Sequence, residues 1–269
     1  MYKIRKGIIL LTMLAGVILL VNGCGKDDNP TQNTTYSLNV TDVLGVNGRV
    51  TFTETSNTTT TIDIVLINAT SGIHPANLYM YSAVEDGVVV QTLNPVDESG
   101  RSTTLVTTMS YRDLIAFDGC IRVLQSNSEP EVILAQGDIG GNEKTTTSQS
   151  YTLSSTGVYG VSGTALFEKR VNGNTLVTIS LSGTIDNGDY PATINLGSIT
   201  SVDEGTIRKT LNHVDGTTGK SLTNIRKLDS GISITYTNWL EYLGYINILQ
   251  SPTSGTIICH GNIGSLGSN

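Results

Sequence analysis

The side chains through which this 269-residue chain could do chemistry are three histidines, three cysteines and 23 acidic residues. His74, His213 and His260 are scattered along the sequence, whereas a catalytic copper or zinc site needs about three protein ligands converging on one point. His260 directly follows Cys259; on an extended strand such neighbours point to opposite faces and do not share an ion. There is no Gly-x-Ser-x-Gly elbow and no cysteine with a partnered base nearby. The acids Glu85, Asp86, Asp97, Glu98, Asp203 and Glu204 stand in turn-like contexts rather than as a pair flanking a cleft. No twelve-residue calcium loop occurs. The expectation is a chain without catalytic residues, metal ligands or cofactor, and not an enzyme.

Cys24 is the exception. Lys3, Arg5 and Lys6 precede a 15-residue apolar run, Gly7–Val21, which is short for a membrane-spanning helix and right for a secretory signal. Val21-Asn22-Gly23-Cys24 resembles a bacterial lipobox, with an aliphatic residue at −3, a small one at −1 and the cysteine that carries the lipid. Acyl chains such as palmitate hold a protein at about 0.8 kcal/mol per buried CH₂, so two or three make a stable anchor. The sequence thus predicts a signal peptide over residues 1–23, lipidation of Cys24 and a polar tether over residues 24–35. Lys26-Asp27-Asp28 resembles a surface-export signal of bacterial lipoproteins.

Removing residues 1–23 takes away three of the 16 basic residues and no acidic one, moving the formal charge from −7 to −10. Nucleic-acid binding needs the opposite sign. Cys120 and Cys259 remain; two buried free thiols are expected, with an inter-domain disulfide as the alternative.

The chain repeats itself. Tyr36–Glu54 aligns with Tyr151–Lys169 at a constant offset of 115, matching Gly45-Val46-x-Gly48 with Gly160-Val161-x-Gly163, and Phe52 with Phe167. Pro75-Ala76 returns as Pro191-Ala192, Leu93-Asn94-x-Val96-Asp97 as Leu211-Asn212-x-Val214-Asp215, and Leu124-Gln125-Ser126 as Leu249-Gln250-Ser251. Gly137-x-Ile139-Gly140 returns as Gly261-x-Ile263-Gly264. A unit this long is a duplicated domain rather than a solenoid repeat. Residues 36–142 form the first unit and 151–269 the second. Glu143–Ser150 (EKTTTSQS) has no apolar residue and reads as a linker.

Within each unit the pattern is β. Thr61–Asn68 (TIDIVLIN) sets Ile62, Ile64 and Leu66 on one side and Val65 and Ile67 on the other. Turn signals such as Glu98-Ser99-Gly100 and Asp186-Asn187-Gly188 separate seven or eight strands per unit, the spacing of a sandwich or Greek-key barrel. Ser110 with Asp113, and Thr235 with Asn238, read as the caps of one helical turn in each unit. Leu114 and Trp239 are then equivalent core residues; a sugar-stacking platform is the other reading of Trp239. Asp97 and Asp215 read as turn caps.

The closing segment of each unit resembles the C-terminal half of a CHRD (chordin-type) domain. It comprises Leu114, Gly119–Leu124 and Gly137-Asp138-Ile139 in the first unit, and Leu240, Gly244–Leu249 and Gly261-Asn262-Ile263 in the second. His74–Tyr79 falls where that family places a histidine-containing strand. The resemblance implies an all-β chain of two tandem antiparallel Greek-key β-sandwiches, superoxide-dismutase-like or immunoglobulin-like. The family's His-x-His pair is replaced by Asn77 and Tyr79, and by Thr193 and Asn195; its late histidine is replaced by Gln125 and Gln250. The expected function is a non-catalytic binding or structural role in a surface-exposed or periplasm-facing outer-membrane lipoprotein, held to the membrane through Cys24, with an unidentified protein or glycan partner and no nucleic acid. The alternatives are a superoxide-dismutase-like metal protein and a glycan-binding surface lipoprotein. For glycans, Tyr79, Tyr81, Tyr190 and Tyr242 are the candidate ligand-facing residues.

Overall fold

Residues Thr59–Ile67 alternate as the pleat requires: Thr60, Ile62, Ile64 and Leu66 are buried, and the residues between them are not. Many other strands of this computed structural model, which describes residues 31–157, 159–200 and 205–267, alternate in the same way. The signal peptide, Cys24 and the tether up to residue 30 lie outside the described residues, as do Asp203 and Glu204.

The first half contains β1 (Asn33–Val40), β2 (Asn47–Ser56), β3 (Thr59–Ile67), β4 (His74–Met80), β5 (Val89–Val96), β6 (Arg101–Val106), α1 (Tyr111–Ala116), β7 (Asp118–Leu124) and β8 (Ile133–Gly140). The second half repeats this with β9 (Lys144–Ser155), β10 (Ser162–Arg170), β11 (Thr175–Ser182), β12 (Asp189–Leu196) and β13 (Ile207–Asp215). It continues with β14 (Lys220–Ile225), α2 (Tyr236–Leu240), β15 (Leu243–Ser251) and β16 (Ser254–Gly264). The first sheet runs β5-β4-β7-β8-β1-β2-β3-β6. The second has the same order and closes into a barrel where Asp215 pairs with Lys220. All ladders are antiparallel. The halves are called barrel one and barrel two below.

The repeated asparagine explains how both seams are held. Asn94 donates from its backbone N to Thr104 Oγ1 (2.8 Å) and from Nδ2 to the Thr103 carbonyl (2.7 Å), joining β5 to β6. Asn212 does the same to Thr223 Oγ1 (2.9 Å) and the Leu222 carbonyl (2.6 Å). A side chain thus replaces ladder bonds that the backbone does not make there. At the adjoining turns Asp97 accepts from the Ser99 hydroxyl (2.6 Å) and from the backbone of Arg101 and Ser99, and Asp215 from the backbone of Thr218. Both are the expected caps, and these hydrogen bonds hold both carboxyls below the usual range.

Each barrel has its own hydrophobic core. Tyr36 meets Phe52 edge-on at 5.5 Å, and Tyr151 meets Phe167 at 5.2 Å. Both helical turns carry the expected capping boxes, Ser110 with Asp113 and Thr235 with Asn238. They deliver Leu114 and Trp239, each fully buried, into the cores. The recurring Gly-x-Ile-Gly has a steric cause. A Cβ on Gly137 or Gly261 would lie 2.0 or 2.1 Å from a carbonyl of the neighbouring strand, Ser37 or Thr152. Gly140 (φ +56°) and Gly264 (φ +62°) bring the last strand under the helical turn, where a Cβ would strike the Leu114 or Trp239 carbonyl.

Two boundaries differ from expectation. Asn33–Thr35, expected in the tether, already pair with β2. Lys144–Ser150, expected as a linker, is the first half of β9 and pairs with β10. Threonine is β-branched and suits a strand whose two faces are both wet, so a polar Thr-rich run need not be a loop. Only Gly141, Asn142 and Glu143 connect the barrels.

Gly140→Ala and Gly264→Ala are each expected to lower stability by roughly 2 kcal/mol or more, since the left-handed backbone alone costs about 1–2 kcal/mol. Gly45→Ala, with positive φ but nothing within 4 Å, should cost less; equal losses in denaturant titrations would refute the steric account. Asp97 and Asp215, depressed in the folded state, contribute stability that is present above their unfolded pKa and lost as pH falls through the folded value. Stability should therefore decline more steeply below about pH 4 in the wild type than in the Asp97→Asn/Asp215→Asn double variant.

Candidate functional site

The barrels meet through a polar junction. β9 and β16 are antiparallel, with Ser155 against Cys259, so Lys144, Arg170, Thr175 and Gly264 share one end of barrel two. This end faces barrel one. From barrel two, Arg170 is fully buried. Its Nη1 donates to Asp138 Oδ2 (2.7 Å) and to the Asn142 carbonyl, and its Nη2 donates to Ser82 Oγ (2.9 Å). From barrel one, Asp138 also accepts from Ser82 Oγ (2.9 Å) and the Ala83 backbone (2.7 Å), which fixes the β4–β5 loop. Glu85 of that loop accepts from Asn224 Nδ2 at 2.7 Å and lies 3.6 Å from Arg226 Nε. Asn172 donates to Asp118 and Asn142, both at 3.2 Å. Burial, and then Glu85, holds the Asp118 carboxyl above its usual range.

Tyr79 and Tyr81 belong to this region. The Arg122 guanidinium sits 4.8 Å above the Tyr79 ring, and that of Arg226 sits 3.5 Å above Tyr81. Both rings therefore already hold a cation on one face. Tyr242 is packed edge-on against Trp239 at 4.8 Å. Tyr190 is separate, at the start of β12 and away from the junction, with its ring buried and its hydroxyl accepting from the Ile185 backbone at 3.0 Å. The four tyrosines do not converge.

Nor do the histidines. His74 is buried at the start of β4, with Nδ1 2.8 Å from the Gln125 carbonyl and Nε2 2.9 Å from the Thr70 carbonyl. His213 is on β13, 2.8 Å from Asp189. His260 lies on β16 opposite Asn247, and burial lowers its pKa. Among the described residues no three His, Cys, Asp or Glu side chains gather into a metal-ligand set. Asn77 and Tyr79 alternate with buried Ala76 and Leu78 and so face out of barrel one. Cys120 and Cys259 are free and buried, and burial pushes their pKa values up to about 12 and about 11. Such thiols are unreactive at neutral pH.

The ends of the barrels away from the junction differ from each other. His74 and Tyr190 occupy equivalent positions, at an offset of 116. In barrel one the His74 ring lies between the Thr70 carbonyl of the β3–β4 loop and the Gln125 carbonyl just past β7. In barrel two the Tyr190 hydroxyl accepts from Ile185 of the β11–β12 loop, and this end holds a cleft of about 550 Å³. Val161 and Ile258, both buried, line it together with the edge of Tyr190. Tyr159 (41% exposed) and Ile185 (70% exposed) come from two different loops. Gln250, Ser251 and Ser254 from the β15–β16 turn supply an amide and two hydroxyls. None of the lining residues carries a charge.

Tyr159 was not among the sequence candidates. Its signal was an aromatic residue flanked by Gly157 and Gly160 where barrel one has Leu44. The junction residues were missed as well, and they too had a signal. Arg170 stands where the first unit has Thr55, and Asp138 where the second has Asn262, so each is a charge that breaks the repeat.

Arg170→Met is expected to cost roughly 3 kcal/mol, because it strands the Asp138 carboxylate at a closed interface. It should also open Gly141–Lys144 to limited proteolysis. Arg226, whose side chain is 35% exposed, should cost under about 1 kcal/mol as Arg226→Met; the reverse ranking would sink the assignment of Arg170 as the main tie.

No family model, curated protein or solved structure matches this chain.

Proposed function

We propose that this protein is a lipid-anchored, non-catalytic binding protein of the cell envelope, built from two degenerate CHRD-like, superoxide-dismutase-like Greek-key barrels. The strand order supports the fold reading. In the closed barrel β12, β13 and β14 lie side by side in succession and β11 lies beside β14, the arrangement of three successive strands with a fourth beside them that defines a Greek key. The anchoring reading rests on the Val21–Cys24 motif and the basic and apolar residues ahead of it.

The binding reading is carried by the uncharged cleft at the free end of barrel two. At the equivalent place in barrel one stands His74, buried between the carbonyls of Thr70 and Gln125. Pockets of about 300–1,000 Å³ with a mixed apolar and hydrogen-bonding lining are suited to small ligands. Function then belongs to loops on a rigid frame, the usual division of labour in sandwiches and barrels.

Anchoring is checked by membrane fractionation. The wild-type protein should sediment with membranes and take up labelled palmitate, and Cys24→Ser should abolish uptake and detach the protein. The non-catalytic reading is checked by metal analysis of purified protein, where stoichiometric copper or zinc that survives dialysis would overturn it.

A further inference from the structure

We infer that the barrel-two cleft takes an uncharged saccharide, with a sugar ring laid on Tyr159 and its hydroxyls bound by Gln250, Ser251 and Ser254; this rests on the binding reading above and names its ligand class. A pyranose has an apolar C–H face and a rim of hydroxyls. A site for it needs an exposed aromatic ring, aliphatic contact beneath, and amide or hydroxyl groups that both donate and accept. The cleft has these in one place. Tyr159 is 41% exposed, and among the described residues no cation or second ring packs on it as on Tyr79, Tyr81 and Tyr242. Val161 and Ile258 provide the aliphatic floor.

The polar rim is only partly satisfied by the protein itself. Ser254 Oγ accepts from the Thr256 backbone at 3.2 Å, but its own proton goes to Gln250 Oε1 at a long 3.4 Å, and Ser251 Oγ lies 3.3 Å from Thr253 Oγ1. Good O–H···O bonds are about 2.7–2.8 Å, so these groups exchange readily for ligand hydroxyls. Charge decides the class of sugar. No Lys or Arg lines the cleft, and the chain carries seven more acidic than basic residues. Uronate, sulfate or phosphate groups would lose their hydration without a partner there.

The test is ¹⁵N NMR titration of the purified protein with neutral oligosaccharides, in parallel with acidic oligosaccharides and short uncharged peptides. The expected result is saturable shifts at Tyr159, Gln250 and Ser251 with neutral sugars only. Tyr159→Ala should weaken binding roughly fivefold or more, as the loss of one stacked ring does. Gln250→Ala should weaken it further, and Tyr79→Ala should leave it unchanged. Saccharide binding that ignores Tyr159→Ala and Gln250→Ala would overturn the inference, as would a preference for acidic sugars. Peptides shifting the cleft while sugars do not would end the saccharide assignment and leave the binding reading standing. If neither class shifts these residues, both are refuted.

Discussion

A fully buried guanidinium is the constraint around which the two halves are arranged. Arg170 leaves barrel two at the end of β10 and finds its charge partner, Asp138, on β8 of barrel one. Water does not reach it, so its position is dictated by where Asp138, Ser82 and the Asn142 carbonyl place their oxygens. The pair is a poor source of net stability, because desolvation consumes most of the Coulombic gain, and Arg170 Nε has no partner. Its contribution is geometric. A hydrophobic patch would tolerate sliding; a forked donor facing fixed acceptors does not. With only Gly141–Glu143 between β8 and β9, chain connectivity and charge specify the same docking.

That docking bears on the cleft. The junction occupies one end of each barrel, so the opposite ends carry the loops free to differ. In barrel one that freedom went to a buried His74 between two carbonyls; in barrel two it went to Tyr190 beside an uncharged cleft. The strands beneath are the same, down to the asparagine that laces each seam and the glycines that seat each helical turn. Divergence is concentrated where neither core packing nor docking limits it.

Much of this was legible in the residues because it repeats. The strands show in the alternation of Ile62, Ile64 and Leu66, the helical turns in Ser110/Asp113 and Thr235/Asn238, and the buried place of Trp239 in its register with Leu114. Lys144–Ser150 was not legible as strand, because a strand wet on both faces lacks the apolar alternation by which strands are recognised, and its partner β10 is supplied by tertiary structure. The candidate site was half legible. Tyr190 lines the cleft, but only by its edge, and Tyr159 sits in a loop whose neighbourhood depends on turns brought in from β11–β12 and β15–β16. Exposure of an aromatic ring is set by long-range packing, which single-residue reasoning does not reach.

The joint brings like ends of like modules together. Thr55 and Asp138 lie toward the same end of the first sheet, and their counterparts Arg170 and Asn262 toward the same end of the second. A contact between like ends closes on itself and offers the same pairing twice. Here the two pairings differ: Arg170 meets Asp138, whereas the equivalent positions hold Thr55 and Asn262, neither of them charged. Ser198 and Ile199 still approach Asn262 as Ser82 and Ala83 approach Asp138, so the socket persists with its charge erased. A duplicated geometry with a two-fold character is thus given a single polarity by one ionic pair.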